Sequence, residues 1–130
     1  MARKFEIQIN HEVYVGDTAP ARDQLEMLTI ASQNGLLMVV GKKISDMGVA
    51  VAMSSLDMSV IDRLKELILK KGEVCRQFDK VPVSENMFDG NTFNYLLLLA
   101  RGLEENIGPF WNLSNGEEGG GENAQDPTQQ

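Results

Sequence analysis

A second cysteine is missing from this 130-residue chain, and with it any internal disulfide, because Cys75 stands alone. A small fold without staples must hold itself by a packed core, and a lone cysteine suits a reducing compartment. Histidine is equally scarce: His11 is the only one, so no His-based metal set can be assembled at the usual spacing. Long apolar runs are also missing. Runs such as 36–40 and 96–100 hold only five residues each, against the roughly 20 that a membrane-spanning helix needs. Arg3 and Lys4 have no apolar run behind them, so no secretion signal is expected, and the reading is a soluble, cytoplasmic protein.

Basic residues are missing from Leu113 onward, where Glu117, Glu118, Glu122 and Asp126 stand alone; the part before it carries 15 acids against 12 bases. Lys42-Lys43 and Lys70-Lys71 are only dipeptides, which is not the clustered footprint that phosphates require, so nucleic-acid binding is not expected. There is no calcium loop of the Asp-x-Asp-x-Asp-Gly type and no glycine-rich phosphate loop. Gly119-Gly120-Gly121 has neither a strand before it nor a helix after it to build a cradle.

What remains, 42% hydrophobic and 24% charged, is the composition of a folded protein, and its length fits one domain. Phe5, Ile7 and Ile9 alternate with Lys4, Glu6 and Gln8, and Val13 and Val15 alternate with Glu12 and Tyr14. Two such period-two runs around Asn10-His11 predict an N-terminal β-hairpin, which must lie on helices to persist. Pro20 opens a helix whose apolar stripe is Ala21, Leu25, Leu28 and Ser32, with Arg22, Asp23 and Glu26 toward water and a stop at Asn34-Gly35. The run 36–40 fits a buried strand or a buried helical turn equally well.

Ser45 caps a short, mostly buried helix over 46–55. Ser59 and Asp62 resemble a capping box, opening a helix with Val60, Ile61, Leu64, Leu67 and Ile68 on one face and Gly72 at its left-handed end. Val74, Arg76 and Phe78 have the pattern of a short strand, and Val81-Pro82-Val83 is extended. Asn91 caps the last helix, and Gly108-Pro109 stops it. The segment 114–130 has no aromatic or branched aliphatic residue and is expected to stay disordered. The fold class is therefore α+β: a hairpin packed on about four helices, with a single domain at 1–113 and an acidic Gly/Glu/Gln-rich tail at 114–130.

Candidate chemistry is thin. His11 falls in the hairpin turn, where a solvated role is expected. Cys75 has Arg76 beside it but no histidine near it in sequence, and a small apolar role fits it better than a nucleophile's. Glu104-Glu105, Asp57, Asp62 and Glu66 read as solvated helix charges. No catalytic, cofactor-binding or metal-ligating residue is assigned, and no cofactor is expected. Met27, Met38, Met47, Met53, Met58 and Met87 can fill gaps in a core or form an adaptable binding surface, with the core favoured.

The last helix is the anomaly. Phe93, Leu96, Leu97, Ala100, Leu103 and Ile107 form one apolar face, and Tyr95, Leu98 and Leu99 form a second. Either it is the central core helix, or its second face packs on another chain. The aromatics Phe110 and Trp111 after it favour an interface, which assigns protein binding or self-association to Tyr95, Leu98, Leu99, Phe110 and Trp111.

The stretch Asn94-Tyr95-Leu96-Leu97-Leu98-Leu99-Ala100-Arg101-Gly102-Leu103-Glu104-Glu105-Asn106-Ile107-Gly108-Pro109-Phe110-Trp111 resembles the end of the folded part of tail assembly chaperones of long-tailed bacteriophages. In those small acidic proteins a Leu-rich helix is followed by an Asn-Ile/Leu-Gly turn and aromatics. The Arg3-Lys4-Phe5-Glu6-Ile7 opening is similar in outline. The resemblance implies a non-enzymatic protein of the host cytoplasm that coats the tape-measure protein, keeps it soluble and recruits tail-tube subunits. It also implies a longer frameshifted form, with which the Gly-Glu-Glu-Gly-Gly-Gly-Glu tail is compatible. The rival classes are a small acidic adaptor or inhibitor from a mobile element, of anti-defence or antitoxin type, and a small enzyme using Cys75 or the acids.

Overall fold

A two-residue turn between paired strands demands a left-handed backbone, which Asn tolerates. The computed structural model describes residues 3–38 and 45–116, with the side chains of all of these but 38 and 109–116. In it Asn10 has φ 57° and joins β1 (Lys4–Ile9) to β2 (Glu12–Asp17). The register sets Ile9 against Glu12, Ile7 against Tyr14 and Phe5 against Gly16. Residues directly opposite share a face. Tyr14 therefore joins Phe5, Ile7 and Ile9 in the core, and Val13 and Val15 lie half-buried on the other side. Period two alone leaves the inward face of β2 open, and the turn length decides it. A third strand, β3 (Cys75–Arg76), pairs antiparallel with β2, giving the order β1-β2-β3. Pro82 bridges to Cys75 on the far side.

Helix α1 (Ala21–Gln33) has Pro20 at its N-cap and ends where the Asn34 N–H donates to the Ile30 carbonyl, 3.1 Å, before Gly35 at φ 73°. Its inward face is not the expected stripe. Met27 and Ala31 are buried, Leu28 and Ile30 pack against the core, and Leu25 is exposed. Two ion pairs accompany this rotation. Arg63 grips Glu26 through two bonds of 2.6 and 2.8 Å, and Lys71 reaches the sheltered carboxylate of Asp23 at 3.3 Å.

Of the ambiguous run, Leu36–Met38 is a single 3-10 turn with Leu36 buried, and 39–40 lie outside the described residues. Ser45 does cap α2 (Asp46–Ser54), its Oγ accepting from the Gly48 N–H at 3.1 Å. Only one face of α2 is buried, through Val49, Ala50 and Met53.

The next helix, α3 (Met58–Lys65), starts earlier than its apparent capping box. Asp57 sits at the N-cap with no side-chain cap bond, and its carbonyl accepts from Val60 and Ile61, both at 3.0 Å. The helix then widens into a π turn, Glu66–Lys70, closed by the Lys71 N–H on the Glu66 carbonyl, 3.0 Å. Five residues share that turn, so Leu67, Ile68 and Leu69 all reach the core in succession. The left-handed residue after it is Glu73, φ 51°, where Gly72 was expected. Gly72 is needed for a different reason: a Cβ there would lie 2.5 Å from the Ile68 carbonyl oxygen and 2.6 Å from that of Asp17.

Helix α4 (Thr92–Gly116) runs through the middle of the fold and touches β1, α1, α2, α3, the π turn and a 3-10 turn at Glu85–Phe88. Phe88 links sheet and helix, its ring 6.0 Å from that of Tyr14 and 5.4 Å from that of Tyr95. The helix lies close to the π turn because Gly102 has no side chain; a Cβ would meet Ile68 Cγ2 at 2.5 Å. Asn106, which the sequence places near a turn, is buried mid-helix. Its Oδ1 accepts from the Ala19 N–H at 2.7 Å and its Nδ2 donates to the Gly102 carbonyl at 2.9 Å, tying α4 to the β2–α1 connection.

Gly108-Pro109 does not stop α4. Proline has no N–H, so the Glu105 carbonyl one turn earlier loses its helical donor. The Arg3 guanidinium supplies a substitute by donating to that carbonyl, and it also pairs with the Glu105 carboxylate at 3.2 Å. The helix therefore enters the first three residues of the expected tail; from 117 on, the tail lies outside the described residues. The architecture is the expected α+β class, with a third strand added to the hairpin.

Candidate protein-binding surface

The second apolar face of α4 belongs to the core. Tyr95, Leu98 and Leu99 retain 8%, 0% and 0% of their surface, so the expectation that they wait for a second chain is corrected. The central-helix alternative holds. Four consecutive residues, Leu97, Leu98, Leu99 and Ala100, are buried because the sheet packs on one side of α4 and helices pack on the others. Phe93, assigned to the inward face, is instead partly exposed at the helix start. Tyr95 keeps its hydroxyl at the rim, 3.4 Å from the Glu85 carboxylate. Burial, together with the charge and hydrogen bond of Glu85, pushes this phenol well above its ordinary range. The side chains of Phe110 and Trp111 lie outside the described residues, although their backbone continues α4.

The large apolar groups that face water lie elsewhere. Met47 and Val51, one turn apart on α2, are 62% and 57% exposed, and Met58 opens α3 at 66%. The methionines therefore divide. Met27 and Met53 fill the core and Met87 packs against it, while Met47 and Met58 are surface; the side chain of Met38 lies outside the described residues. The Met47–Val51 stripe sits on a held helix. Arg101 of α4 reaches Asp46 at 2.6 Å and Glu104 at 3.2 Å, fixing the N-terminal end of α2 against α4. Burial works against the Arg101 charge, but the two carboxylates outweigh it and raise its pKa.

Phe78 is the most exposed of these groups, at 89%. It projects from a turn locked by Arg76 on Asp79 (2.7 and 3.2 Å), by the Val81 N–H on Asp79 Oδ1 (3.2 Å) and by left-handed Lys80, φ 63°. Beside that turn a groove of about 620 Å³ runs between the π turn and the 82–85 segment, walled by Leu69, Val74, Pro82 and Val83 with Lys65 and Lys80 at its margin. Cys75 borders this groove half-buried, and His11 is exposed in the hairpin turn, as expected for it.

No family model, curated protein or solved structure matches this chain. Among the described residues no His, Cys, Asp and Glu group is arranged to hold a metal ion, and no helix is long and apolar enough to cross a membrane. The sequence offers Met47 only as one of several methionines that could be core or surface, and does not pair it with Val51, because α2 is almost wholly small or apolar and its periodicity carries no sign of which side faces out. Phe78 was assigned to a strand pattern. The Asp79-Lys80 pair after it was the available turn signal.

Proposed function

We propose that the protein is a non-enzymatic protein-binding module that acts as a phage tail assembly chaperone, keeping an apolar helical tape-measure protein soluble and recruiting tail-tube subunits to it. The observation that carries this reading is the pair of exposed apolar side chains, Met47 and Val51, on one face of a helix anchored to the central core. Flexible, polarisable methionine beside a branched aliphatic group suits the apolar faces of long helices of varied sequence. The acidic C-terminal segment adds like charge that keeps coated complexes apart. Phe110 and Trp111, by residue type alone, are kept as further partner contacts in this reading.

The test is co-expression with a tape-measure protein, which this reading expects to be the product of a very long coding region just downstream. The full chain should keep that protein in the soluble fraction and co-purify with it. A Met47→Glu, Val51→Glu variant should fold as the parent does by circular dichroism but release the tape-measure protein into the pellet. Retained binding by the variant removes the α2 surface from the reading, and a parent chain that never co-purifies removes the chaperone role.

A further inference from the structure

Among the described residues the backbone of β1 is paired on one side only. The Thr18 N–H donates to the Arg3 carbonyl at 2.7 Å, which makes 3 and 18 a bonded pair. Alternation along an antiparallel ladder then turns the N–H and C=O of Phe5, Ile7 and Ile9 toward β2 and those of Lys4, Glu6 and Gln8 away from it. Among the described residues those outward groups meet no backbone partner. The opposite side of the sheet is closed by the bridge from Cys75 to Pro82, and proline offers no donor for further growth. Six residues of regular strand, free of glycine, proline or bulge, thus form an open edge, the feature that sheets otherwise blunt.

The charges along this edge are self-complementary. Lys4 and Glu6 stand two residues apart on the same face, both exposed. Among the described residues Glu6 is held only by the neutral Gln77 amide at 2.9 Å, and Lys4 is highly exposed while touching Asp17 at 2.9 Å. A second copy related by a two-fold axis through Phe5 would set Lys4 of each chain opposite Glu6 of the other. Both residues of that pair direct their N–H and C=O outward, so each pair can exchange both backbone bonds. Across the joined sheet one row then reads Asp17, Lys4 and the second copy's Glu6, with a lysine between two carboxylates, and symmetry repeats it. A register shifted by one residue per chain would oppose Glu6 to Glu6 and is disfavoured by like charge.

We propose that β1 is a homodimerisation edge on which two copies pair antiparallel about Phe5, joining their three-stranded sheets into one of six strands. This interface is separate from the α2 surface and does not depend on what that surface binds.

Sedimentation of the full chain over a range of concentrations, with residue-resolved hydrogen exchange, tests the proposal. A monomer–dimer equilibrium is expected. The Glu6 amide should gain protection as concentration rises, whereas the Phe5, Ile7 and Ile9 amides are protected throughout. Lys4→Glu and Glu6→Lys should each weaken the dimer at least about tenfold. An equimolar mixture of the two single variants should dimerise, because a chain with two acids then faces a chain with two lysines. The double variant should also recover the dimer, which separates pairing from any local cost of losing the Asp17 contact. A chain that stays monomeric throughout overturns the proposal. So does a dimer whose Glu6 amide exchanges freely, or one indifferent to these substitutions.

Discussion

Leu98 illustrates how one side chain can mislead when read along its own helix. It lies opposite the obvious stripe of α4, so the local pattern assigns it to a surface, yet it is fully buried. Leu98→Ala should cost about 2–5 kcal/mol, measured by urea denaturation with an unchanged slope. A loss within about 0.5 kcal/mol, the range of ordinary surface changes, would contradict its place in the core. Glu26 shows the opposite case, a residue expected only to face water that bridges to another helix through Arg63. The hydrogen bond from Arg63 lowers its pKa, with the Arg63 charge adding to the effect. A depressed carboxylate stabilises the fold above its ordinary range and loses that contribution as pH falls through the depressed value. The gap in stability between the parent and Glu26→Gln should therefore be present at neutral pH and close in acid below the ordinary glutamate range. A gap independent of pH would show that the charge of Glu26 is not the cause.

At the scale of elements, helix ends were the least legible features, and the reasons are specific. Asp57 starts α3 with a backbone cap, so the Ser59–Asp62 spacing never becomes a box. The π turn cannot be read from a 3.6-residue pattern, because inserting one residue shifts the buried face and brings Leu69 into the core beside Leu67. Gly108-Pro109 is a sound stop signal, overridden by a residue about a hundred positions away. Arg3 supplies the donor that Pro109 lacks. Arg3→Ala should therefore destabilise the chain more in the parent than in a Pro109→Ala background, where the helix restores its own N–H. A double-mutant cycle by thermal unfolding measures the difference. Equal costs in both backgrounds would mean that Arg3 acts only through the Glu105 carboxylate.

At the scale of the molecule, α4 is the hub to which sheet, helices and turns are all attached, so unfolding should be a single cooperative event. Residues 117–130 carry no aromatic or branched aliphatic side chain to add to that core. A chain ending at Gly116 should melt within about 2 °C of the parent, less than the shift that 1 kcal/mol produces in a domain this size. A larger drop in differential scanning calorimetry would assign the acidic segment a structural role.

The sequence by itself determined the α+β class, the hairpin and its turn, the inward face of β1, the Ser45 cap and the existence of the main helices. Each depends on contacts between near neighbours, and a period of two or 3.6 records them. Only the tertiary structure decided the rotation of α1, the widened turn after α3, the passage of α4 through proline and the burial of its second face. Those features depend on partners distant in the chain: Arg63 for Glu26, Asp17 for Gly72, Ile68 for Gly102 and Arg3 for Glu105. A fully apolar helix reads the same whether its second face meets another chain or its own sheet, because both remove the same surface from water.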